Sequence, residues 1–433
     1  MPRPQLAEFM RRIGTDSIAI IPSAREVTRS NDTHYRYRQD SDFYYLTGFD
    51  EPESIAVIAP GRAEGKYILF VRPRDPEREI WDGRRAGVEG AVSVYGADAA
   101  HPVEEFGGKL HDLLDGVRNL YYRVGAGNDD LDQTIIRQIA RMRALGRRGV
   151  HPPEAIIDPG AVLHEMRLFK TPEEIEIMQK AADIAAEAHR EAMRAARPGM
   201  QEYEIEALIE YIFRRRGAAA PAYGTIVAAG PNATVLHYVN NDATLRDGDL
   251  LLIDAGAEYR GYASDITRTF PINGRYSPAQ RDIYNLVLEA QLACIEMVRP
   301  GVSVDELHNR SVEILTEGMV RLGLLQGDPR KLIEEGAYKK FYMHRLGHYL
   351  GMDVHDVGRY HMGGTSRRFE AGMVTTIEPG LYIAADAENV PDKYRGIGVR
   401  IEDDVLVTED GHRVLSAQAP KMIEEVEEWI AHR

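Results

Sequence analysis

The alternation of apolar and polar positions divides residues 1–160 into short strands and helices. Strands are predicted where β-favouring residues run together, and helices where apolar residues recur every three to four positions. The predicted strands are Ser17–Ile21, Phe43–Leu46, Ser54–Ala59, Tyr67–Val71 and Leu120–Val124, and the predicted helices are Pro4–Ile13, Val103–Leu114 and Leu131–Ala144. This mixture predicts an α/β domain built on a central mixed sheet.

A proline-rich segment, Gly149–Gly160, follows and is interpreted as a linker without regular structure. Beyond it, a helix is predicted over Thr171–Ala196. Thr171 supplies an N-cap hydroxyl, a proline stands at the first helical position, and a glutamate follows three residues after the cap. An Arg-Pro-Gly break ends this helix, and a second helix is predicted over Glu202–Arg216.

The same order of helix, Arg-Pro-Gly break and helix recurs further along the chain. Helices are predicted over Ser277–Val298 and from Ser303 to near Gly323, and each begins at a serine cap. A pattern that occurs twice predicts an internal repeat, in which each copy forms one half of a domain.

Each pair of helices is followed by two predicted strands, and each strand is associated with an acidic residue. The acids are Asp254, after Leu250–Ile253; Asp265, at the start of Asp265–Phe270; Glu378, after Met373–Ile377; and Glu402, within Val399–Val405. A carboxylate that ends an apolar strand is costly to bury alone and therefore needs a partner. Two α+β halves folded against each other would bring the equivalent carboxylates to one pseudo-symmetric centre.

The residues between Asp254 and Asp265 include two glycines that suit a hairpin, which would return the second aspartate beside the first. A lone aspartate in such a place is more often part of a surface turn. Here the arrangement is repeated by Glu378 and Glu402, and the repetition favours four carboxylates around one site.

Histidines are concentrated in Met343–Asp356, which holds three of the 14 histidines in the 433-residue chain. His344 and His348 are four residues apart and would share one face if the segment is helical. Both could bind a metal, or one could bind metal while the other meets a substrate, and spacing alone does not decide between these alternatives. His355 follows, with Asp356 as a candidate orienting partner.

Several carboxylates that point into one buried site repel one another unless cations compensate their charge. Four carboxylates and one imidazole form an oxygen-rich ligand set that suits a pair of divalent ions. Mn²⁺ is the first choice and Co²⁺ or Zn²⁺ are alternatives. Copper or an iron–sulfur cluster is disfavoured because the candidate ligands include no thiolate.

Composition and charge narrow the classes of partner. A net charge of −15 argues against nucleic acid or an anionic membrane as a partner, since both require a basic surface. The N-terminus lacks an apolar export segment, and no run approaches the ~18 apolar residues of a membrane span. The single cysteine, Cys294, excludes a disulfide framework. These features predict a cytoplasmic protein without a nucleic-acid or membrane partner.

Six stretches of the sequence carry a resemblance to a known family. They are YRYRQDSDFYYLTGFDEPES (Tyr35–Ser54), EIWDGRR (Glu79–Arg85), RDGDLLLIDAGAEYRGYASDITRTFPING (Arg246–Gly274), MHRLGHYLGMDVHDVG (Met343–Gly358), MVTTIEPGLYI (Met373–Ile383) and YRGIGVRIEDDVLVTEDG (Tyr394–Gly411). Through them, nearly the whole chain resembles the aminopeptidase P (Xaa-Pro aminopeptidase) branch of the pita-bread metallopeptidases.

The resemblance implies two domains. An N-terminal mixed-sheet α/β domain of the creatinase and aminopeptidase P type would span residues 1–165, and a pita-bread catalytic domain would span residues 166–433. The pita-bread fold has two pseudo-symmetric α+β halves, in agreement with the repeat. Family members commonly form homodimers or homotetramers through the N-terminal domain. Trp81 is therefore a candidate for reaching a neighbour's cleft, and packing inside its own domain is the alternative.

The resemblance also implies the metal ligands and their sharing. The ligands would be Asp254, Asp265, His348, Glu378 and Glu402. Asp265 and Glu402 would bridge both ions. His344 would face the substrate rather than a metal.

Three further residues receive roles from the resemblance. His237 ends a short apolar stretch and, taken alone, is more typical of a core histidine. By resemblance, His237 and His355 would contact the scissile carbonyl and the proline residue. Arg400 would stand beside the bridging glutamate and help to hold the site.

The implied activity is release of the first residue from peptides with proline in the second position, by attack of a hydroxide that bridges the two metals. Glu378 is the candidate for taking the water proton and passing it to the proline nitrogen. One alternative is a prolidase, which cleaves only Xaa-Pro dipeptides and shares the site. Another is a metal-free pita-bread binding module. The N-terminal motif and the lack of long insertions favour the aminopeptidase.

Overall fold

The computed structural model describes residues 3–432, and these form two compact units that divide after Met166. The predicted boundary, between residues 165 and 166, and the observed division both lie within one helix, α7 (Gly160–Leu168).

The first unit contains helices and strands in alternation. Its helices are α1 (Pro4–Ile13), α2 (Ser41–Thr47), α3 (Pro76–Asp82), α4 (Gly87–Ser93), α5 (Phe106–Leu114) and α6 (Asp129–Ala144). Its strands are β1 (Ser17–Pro22), β2 (Thr28–Ser30), β3 (Thr33–His34), β4 (Ile55–Ile58), β5 (Tyr67–Val71), β6 (Ala99–Pro102), β7 (Asn119–Tyr121) and β8 (Ala155–Ile157).

Six strands of this unit form one sheet in the order β6-β5-β4-β1-β7-β8. The sheet is mixed, because β1 pairs antiparallel with β4 and parallel with β7. Buried side chains of the sheet, such as Ile20 and Phe70, share one core with Leu110 of α5 and Ile139 of α6. The predicted α/β class with a central mixed sheet is confirmed.

Residues Phe43–Leu46 form part of α2, so the predicted strand is wrong. The helix begins after Asp40, whose side chain accepts a hydrogen bond from the Phe43 backbone N–H at 2.8 Å. It ends at Gly48, which has a φ of 66°. A short apolar run does not separate a buried helix from a strand by periodicity, and the aspartate cap is the local signal that distinguishes them.

The segment Gly149–Gly160 is not the structureless linker that was predicted. Ala155–Ile157 forms β8, which pairs parallel with β7 at one edge of the sheet. Three residues are too few for a periodic pattern, so only pairing with β7 identifies this strand.

Trp81 lies on α3 and is 85% exposed, and its neighbour Ile80 is 82% exposed. The alternative in which Trp81 packs inside its own domain is therefore wrong.

The second unit begins within α7 and contains longer helices. They are α8 (Pro172–Ala195), α9 (Glu202–Arg215), α10 (Pro278–Met297), α11 (Val304–Arg321), α12 (Pro329–Glu334) and α13 (Ile423–Ala431). Its strands are β9 (Ala220–Pro221), β10 (Ile226–Ala229), β11 (Leu250–Asp254), β12 (Ala257–Tyr259), β13 (Tyr262–Ala263), β14 (Thr267–Pro271), β15 (His361–Met362), β16 (Thr365–Ser366), β17 (Val374–Ile377), β18 (Gly380–Ile383), β19 (Ile397–Arg400), β20 (Asp403–Val407) and β21 (His412–Val414).

The two predicted helix pairs are present as α8–α9 and α10–α11. Thr171, Ser277 and Ser303 each close a capping box, because the cap hydroxyl accepts the backbone N–H three residues later and the side chain there returns a bond. The breaks contain Gly199 and Gly301, with φ of 95° and 89°. Within residues 3–432, no helix is both long and apolar enough to cross a membrane.

Each helix pair is followed by a three-stranded antiparallel sheet. β11 lies between β10 and β14, and β20 lies between β17 and β21, with antiparallel pairing in both sheets. The backbone N–H of Glu402 donates to the Thr267 carbonyl at 3.1 Å and so joins the two halves. The predicted pair of α+β halves is confirmed, and their shared centre is where the acids meet.

Candidate active site

One cavity of about 650 Å³ lies within the second unit. All the residues that the sequence proposed for metal binding or catalysis line it. They are His237, Asp254, Asp265, His344, His348, His355, Glu378, Arg400 and Glu402. Residues from both halves therefore converge on one space.

Asp254 and Asp265 both reach the cavity because a tight hairpin folds the chain between them. β12 and β13 pair antiparallel around Arg260–Gly261, whose φ values of 51° and 80° are both positive, as in the type I′ turns that favour hairpins. The chain also approaches itself closely at Gly256, where an added Cβ would lie 1.7 Å from the Ser264 carbonyl oxygen. A side chain at this position would force the two aspartates apart.

Glu378 and Glu402 are brought together by the pairing of β17 with β20. Glu378 directly follows β17, and Glu402 directly precedes β20. The single strand predicted over Val399–Val405 is wrong, because β19 and β20 are separate strands with Glu402 in the break. The break is stabilised by the bond from the Glu402 N–H to Thr267, which belongs to the other half.

His348 is held in an irregular loop rather than in a helix. Its carbonyl oxygen accepts the Thr376 backbone N–H at 2.9 Å, which ties the loop to β17. Its Nδ1 lies 3.0 Å from the Tyr349 carbonyl oxygen. This contact leaves Nε2 to face the acids, 3.3 Å from Asp265 Oδ2 and 3.6 Å from Glu378 Oε1.

Asp265, His348 and Glu402 each offer one ligand atom, and the three atoms lie within 4.8 Å of one another. Two carboxylate oxygens and one imidazole nitrogen form a ligand set that suits Mn²⁺, Co²⁺ or Zn²⁺. Asp254 and Glu378 add two carboxylates in the same cavity. The donor set therefore fits a divalent metal.

The electrostatics of the site point to the same conclusion. Burial raises the pKa of Asp254, raises the pKa of Glu378 to about 7 and raises the pKa of Glu402 well above its usual value. Repulsion from Asp265 contributes to each of these raised pKa values. Arg400 opposes the shift at Asp254, since its Nη2 lies 2.6 Å from Asp254 Oδ2. One arginine does not balance several buried carboxylates, so a bound cation would stabilise them.

Tyr223 is a site residue that the sequence did not reveal. Its hydroxyl lies 2.6 Å from Asp254 Oδ1 and 2.5 Å from Asp265 Oδ1, so it stands between the two aspartates. It lies outside the motifs that carry the family resemblance, and no local pattern marks it. Only the folded chain brings it to the acids.

Tyr382 is the second tyrosine that was missed. Its hydroxyl accepts a hydrogen bond from Arg400 Nη1 at 3.1 Å and lies 2.9 Å from His344 Nε2. Tyr382 belongs to the motif that contains Glu378, so its proximity to the acids could have been expected. His344 thus contacts the Tyr382 hydroxyl, which is also bound by Arg400, and among residues 3–432 it does not contact a carboxylate.

His237 and His355 line the cavity without a hydrogen bond from either ring to another residue of the part of the chain that the structure describes. The ring of His355 lies 4.3 Å from that of His348, with 74° between the planes. Both histidines therefore keep ring nitrogens that can meet a substrate.

Asp356 does not act on His355 directly, so its expected role as an orienting partner is not supported. Its carboxylate accepts hydrogen bonds from Arg167 Nη2 at 2.6 Å and from Lys170 Nζ at 3.1 Å. All three side chains are buried. Asp356 instead anchors the end of the histidine loop to the segment that precedes α8.

Comparison with known proteins places the chain among peptidases. Residues 176–409 match metallopeptidase family M24, and residues 4–121 match the aminopeptidase P N-terminal domain. The Xaa-Pro aminopeptidase of Escherichia coli is 48% identical over 428 residues, which cover 97% of this chain and 96% of that protein. A solved Pseudomonas aeruginosa aminopeptidase has a TM-score of 0.97 at 52% identity and covers 99% of this chain and 97% of its own. E. coli aminopeptidase P with the inhibitor Pro-Leu has a TM-score of 0.94 at 46% identity, with coverage of 99% and 97%.

The duplicated α+β fold and its acidic cavity with a histidine define a metallopeptidase. The match extends beyond the catalytic half, because the N-terminal unit also corresponds to the domain found in aminopeptidase P. The chain belongs to metallopeptidase family M24, in its aminopeptidase P branch. The pita-bread class predicted for the C-terminal region is thereby confirmed.

Proposed function

We propose that this metallopeptidase releases the first residue from peptides with proline in the second position. The observation that carries the proposal is the convergence of Asp254, Asp265, His348, Glu378 and Glu402 in one cavity. The specificity is supported by the E. coli relative, which is named an Xaa-Pro aminopeptidase and aligns over nearly the whole chain. The Pro-Leu inhibitor in the E. coli structure supports a proline residue on the leaving side of the bond.

The five converging residues are proposed to hold two divalent metal ions, with Asp265 and Glu402 shared by both. Mn²⁺ is the first choice, and Co²⁺ or Zn²⁺ would suit the same oxygen and nitrogen donors. Such ions lower the pKa of water and so supply the hydrolytic nucleophile near neutral pH. The site holds more buried carboxylates than Arg400 alone can neutralise. This excess of negative charge supports two bound metal ions rather than one.

Glu378 is proposed to move the proton. Its carboxylate lines the cavity beside the other proposed ligands, so it is placed to accept a proton from a water activated there. It would take a proton from the attacking water and give it to the proline nitrogen. That nitrogen leaves as a secondary amine and must be protonated.

His237 and His355 are proposed to donate hydrogen bonds to the scissile carbonyl and to orient the proline residue. Their rings line the cavity and make no hydrogen bond elsewhere in residues 3–432. Donors aimed at a developing oxyanion lower the barrier for acyl transfer. His344 would face the substrate while its Nε2 contacts the Tyr382 hydroxyl. Arg400 would hold both Tyr382 and Asp254 in place through hydrogen bonds.

The free amino group of the substrate is proposed to bind beside the acids, where negative charge favours an ammonium group. The bond before proline carries no N–H, so selection of proline would depend on the shape of the ring rather than on a hydrogen bond from that nitrogen. This arrangement places a single residue of the substrate before the bond that breaks.

Asp265→Ala, with Asp410→Ala as the control, tests the metal proposal. Asp265 is a proposed bridging ligand, so its loss should remove most bound metal and most peptidase activity, whereas Asp410 lies in an exposed turn. Metal content and hydrolysis of an Xaa-Pro-Yaa tripeptide provide the two measurements. An Asp265→Ala protein that keeps most of both would contradict the two-metal centre.

The alternative is that the protein is a prolidase. Assays of the metal-loaded wild-type protein with two peptides distinguish a prolidase from an aminopeptidase. A preference for an Xaa-Pro-Yaa tripeptide over an Xaa-Pro dipeptide would support the aminopeptidase, and cleavage of the dipeptide alone would support prolidase. Protein that binds no metal and cleaves neither peptide would match the metal-free binding module.

A cytoplasmic homodimer or homotetramer is proposed as the working form. Exposed Ile80 and Trp81 on α3 support a contact through the N-terminal unit, because large apolar side chains are seldom exposed side by side without a partner. Light scattering would give the number of chains in the assembly.

A further inference from the structure

The cavity has a buried end and an exposed mouth, and the two differ in chemistry. The proposed metal ligands Asp265 and Glu402 are buried. At the mouth, the side chains of Asp305, Arg345 and His361 are 35%, 55% and 57% exposed, yet all three still line the cavity. These three residues, the mouth cluster, have no part in the mechanism described above.

Asp305 joins three separate elements in the mouth cluster. It lies in the first turn of α11 and accepts a hydrogen bond from Arg345 Nη2. Its other oxygen, Oδ2, lies 3.3 Å from His361 Nε2 in β15. The Arg345 bond holds the pKa of Asp305 below its usual value, so Asp305 is ionised at neutral pH.

Arg345 is presented to the cavity from a fixed backbone. Its carbonyl oxygen lies 2.7 Å from His344 Nδ1, and the next residue, Leu346, is buried. Among residues 3–432, its guanidinium contacts one carboxylate, that of Asp305, through Nη2 alone. The Nε–H and Nη1–H groups remain as donors, and a guanidinium fork with such donors is well suited to a second carboxylate.

The orientation of the bound peptide determines which of its residues lies near Arg345. In the proposed reaction only one residue precedes the scissile bond, and that bond lies at the buried acids. The chain that follows proline must therefore leave through the mouth. The third residue of the substrate and those after it are the parts that pass the mouth cluster.

We propose that Arg345 is a specificity residue that binds a carboxylate on the third residue of the substrate, either its terminal carboxylate or an acidic side chain. This inference rests on the proposed Xaa-Pro aminopeptidase function. Asp305 holds the Arg345 side chain in position through their hydrogen bond. The negative charge of Asp305 also repels the carboxylate of the substrate. The enzyme therefore favours tripeptides with a free C-terminus, or longer peptides with an acidic third residue.

Two matched pairs of peptides test this proposal. Ala-Pro-Ala with a free carboxylate is compared with its C-terminal amide, and Ala-Pro-Glu-amide is compared with Ala-Pro-Gln-amide. The measured quantity is the ratio of kcat/KM for the charged peptide to that for the uncharged one. The first pair reports a terminal carboxylate and the second reports an acidic side chain.

Three variants give different expected changes in this ratio. Arg345→Ala should lower it about fivefold, the upper range for a solvent-exposed ion pair. Asp305→Asn should raise it, because the amide oxygen still accepts the Arg345 hydrogen bond while the repelling charge is gone. Arg310→Ala should leave the ratio unchanged, since Arg310 is a partly exposed arginine that pairs with Glu313 and does not line the cavity.

The outcomes are distinguishable from a failure of the proposed function. A ratio that Arg345→Ala leaves unchanged in both pairs overturns the proposal, even if every peptide is cleaved. The proposal is also overturned if the kcat/KM ratio falls in both Arg345→Ala and Asp305→Asn. That result would mean that the ion pair maintains the structure of the cavity mouth and that Arg345 does not bind the substrate carboxylate. Wild-type protein that cleaves none of the peptides would overturn the Xaa-Pro function itself, and this inference with it.

Discussion

At the scale of single residues, the three histidines of Met343–Asp356 have separate environments. His348 directs Nε2 at two carboxylates, and His344 contacts the Tyr382 hydroxyl. His355 lies beside His348 but makes no polar contact with the acids in the part of the chain that the structure describes. Spacing in the sequence left open which histidine binds metal, and the position of each ring now favours His348 alone.

His355→Ala is expected to keep its metal while kcat/KM falls about a hundredfold, the scale of losing one oxyanion donor. The reason is that the ring faces the cavity without contacting a proposed ligand carboxylate. Metal content and tripeptide hydrolysis measure the two effects, with His432→Ala, at an exposed position just after α13, as the control. Loss of metal would place His355 among the ligands.

At the scale of elements, the loop that carries His348 and His355 depends on buried ion pairs. Asp356 binds both Arg167 and Lys170, and Asp353 also contacts Arg167 at 2.7 Å. An added Cβ at Gly351 would lie 2.0 Å from Asp356 Oδ2, so the loop folds tightly over the carboxylate. Buried charges thus hold an element that has no helix or strand of its own.

Asp356→Asn is expected to lower the free energy of unfolding by about 3–5 kcal/mol, because it leaves the buried Lys170 ammonium without a compensating charge and removes one of the two carboxylates that Arg167 contacts. Urea unfolding measures the change, and Asp410→Asn in an exposed turn is the control. A change no larger than that of the control would mean that the loop is held by its backbone bonds to β17 instead.

The elements themselves were predictable where their signals are local. Capping boxes and Arg-Pro-Gly breaks placed α8 to α11 within about two residues, the usual uncertainty of helix ends. Phe43–Leu46 and Ala155–Ile157 were missed for a physical reason. A short buried run has no distinctive period, and an edge strand of three residues exists only through its pairing with β7.

At the scale of the whole molecule, the charge of the site couples metal binding to stability. Burial lowers the pKa of His348, but the hydrogen bond to Asp265 and nearby negative charge raise it overall, to about 9. Burial and repulsion raise the pKa of Glu402 well above its usual value. At neutral pH and above, the folded metal-free protein therefore holds protons that the unfolded chain has released.

The metal-free protein is expected to lose stability as the pH rises from about 6.5 to about 9, because the folded state binds more protons in this window. The lowered pKa of His344, about 4, acts in the opposite sense only below about 6.5, where the unfolded chain still binds that proton. The melting temperature at the two ends of the window, with chelator or with divalent metal, measures the effect. Metal should reduce the fall, and a melting temperature that rises with pH without metal would contradict the account.

The sequence by itself determined helices α1, α5, α6 and α8 to α11, the duplicated halves and the set of candidate ligands, because periodicity, caps, breaks and motif residues act over a few neighbouring positions. Only the tertiary structure decided how those groups meet. Arg400 binds Asp254 across 146 positions, and Tyr223 bonds to Asp254 and Asp265 from outside the motifs. Arg345 is an ordinary charged residue in the sequence and lies at the mouth of the cavity in the fold. Contacts between distant residues depend on packing of whole elements, which no local pattern contains.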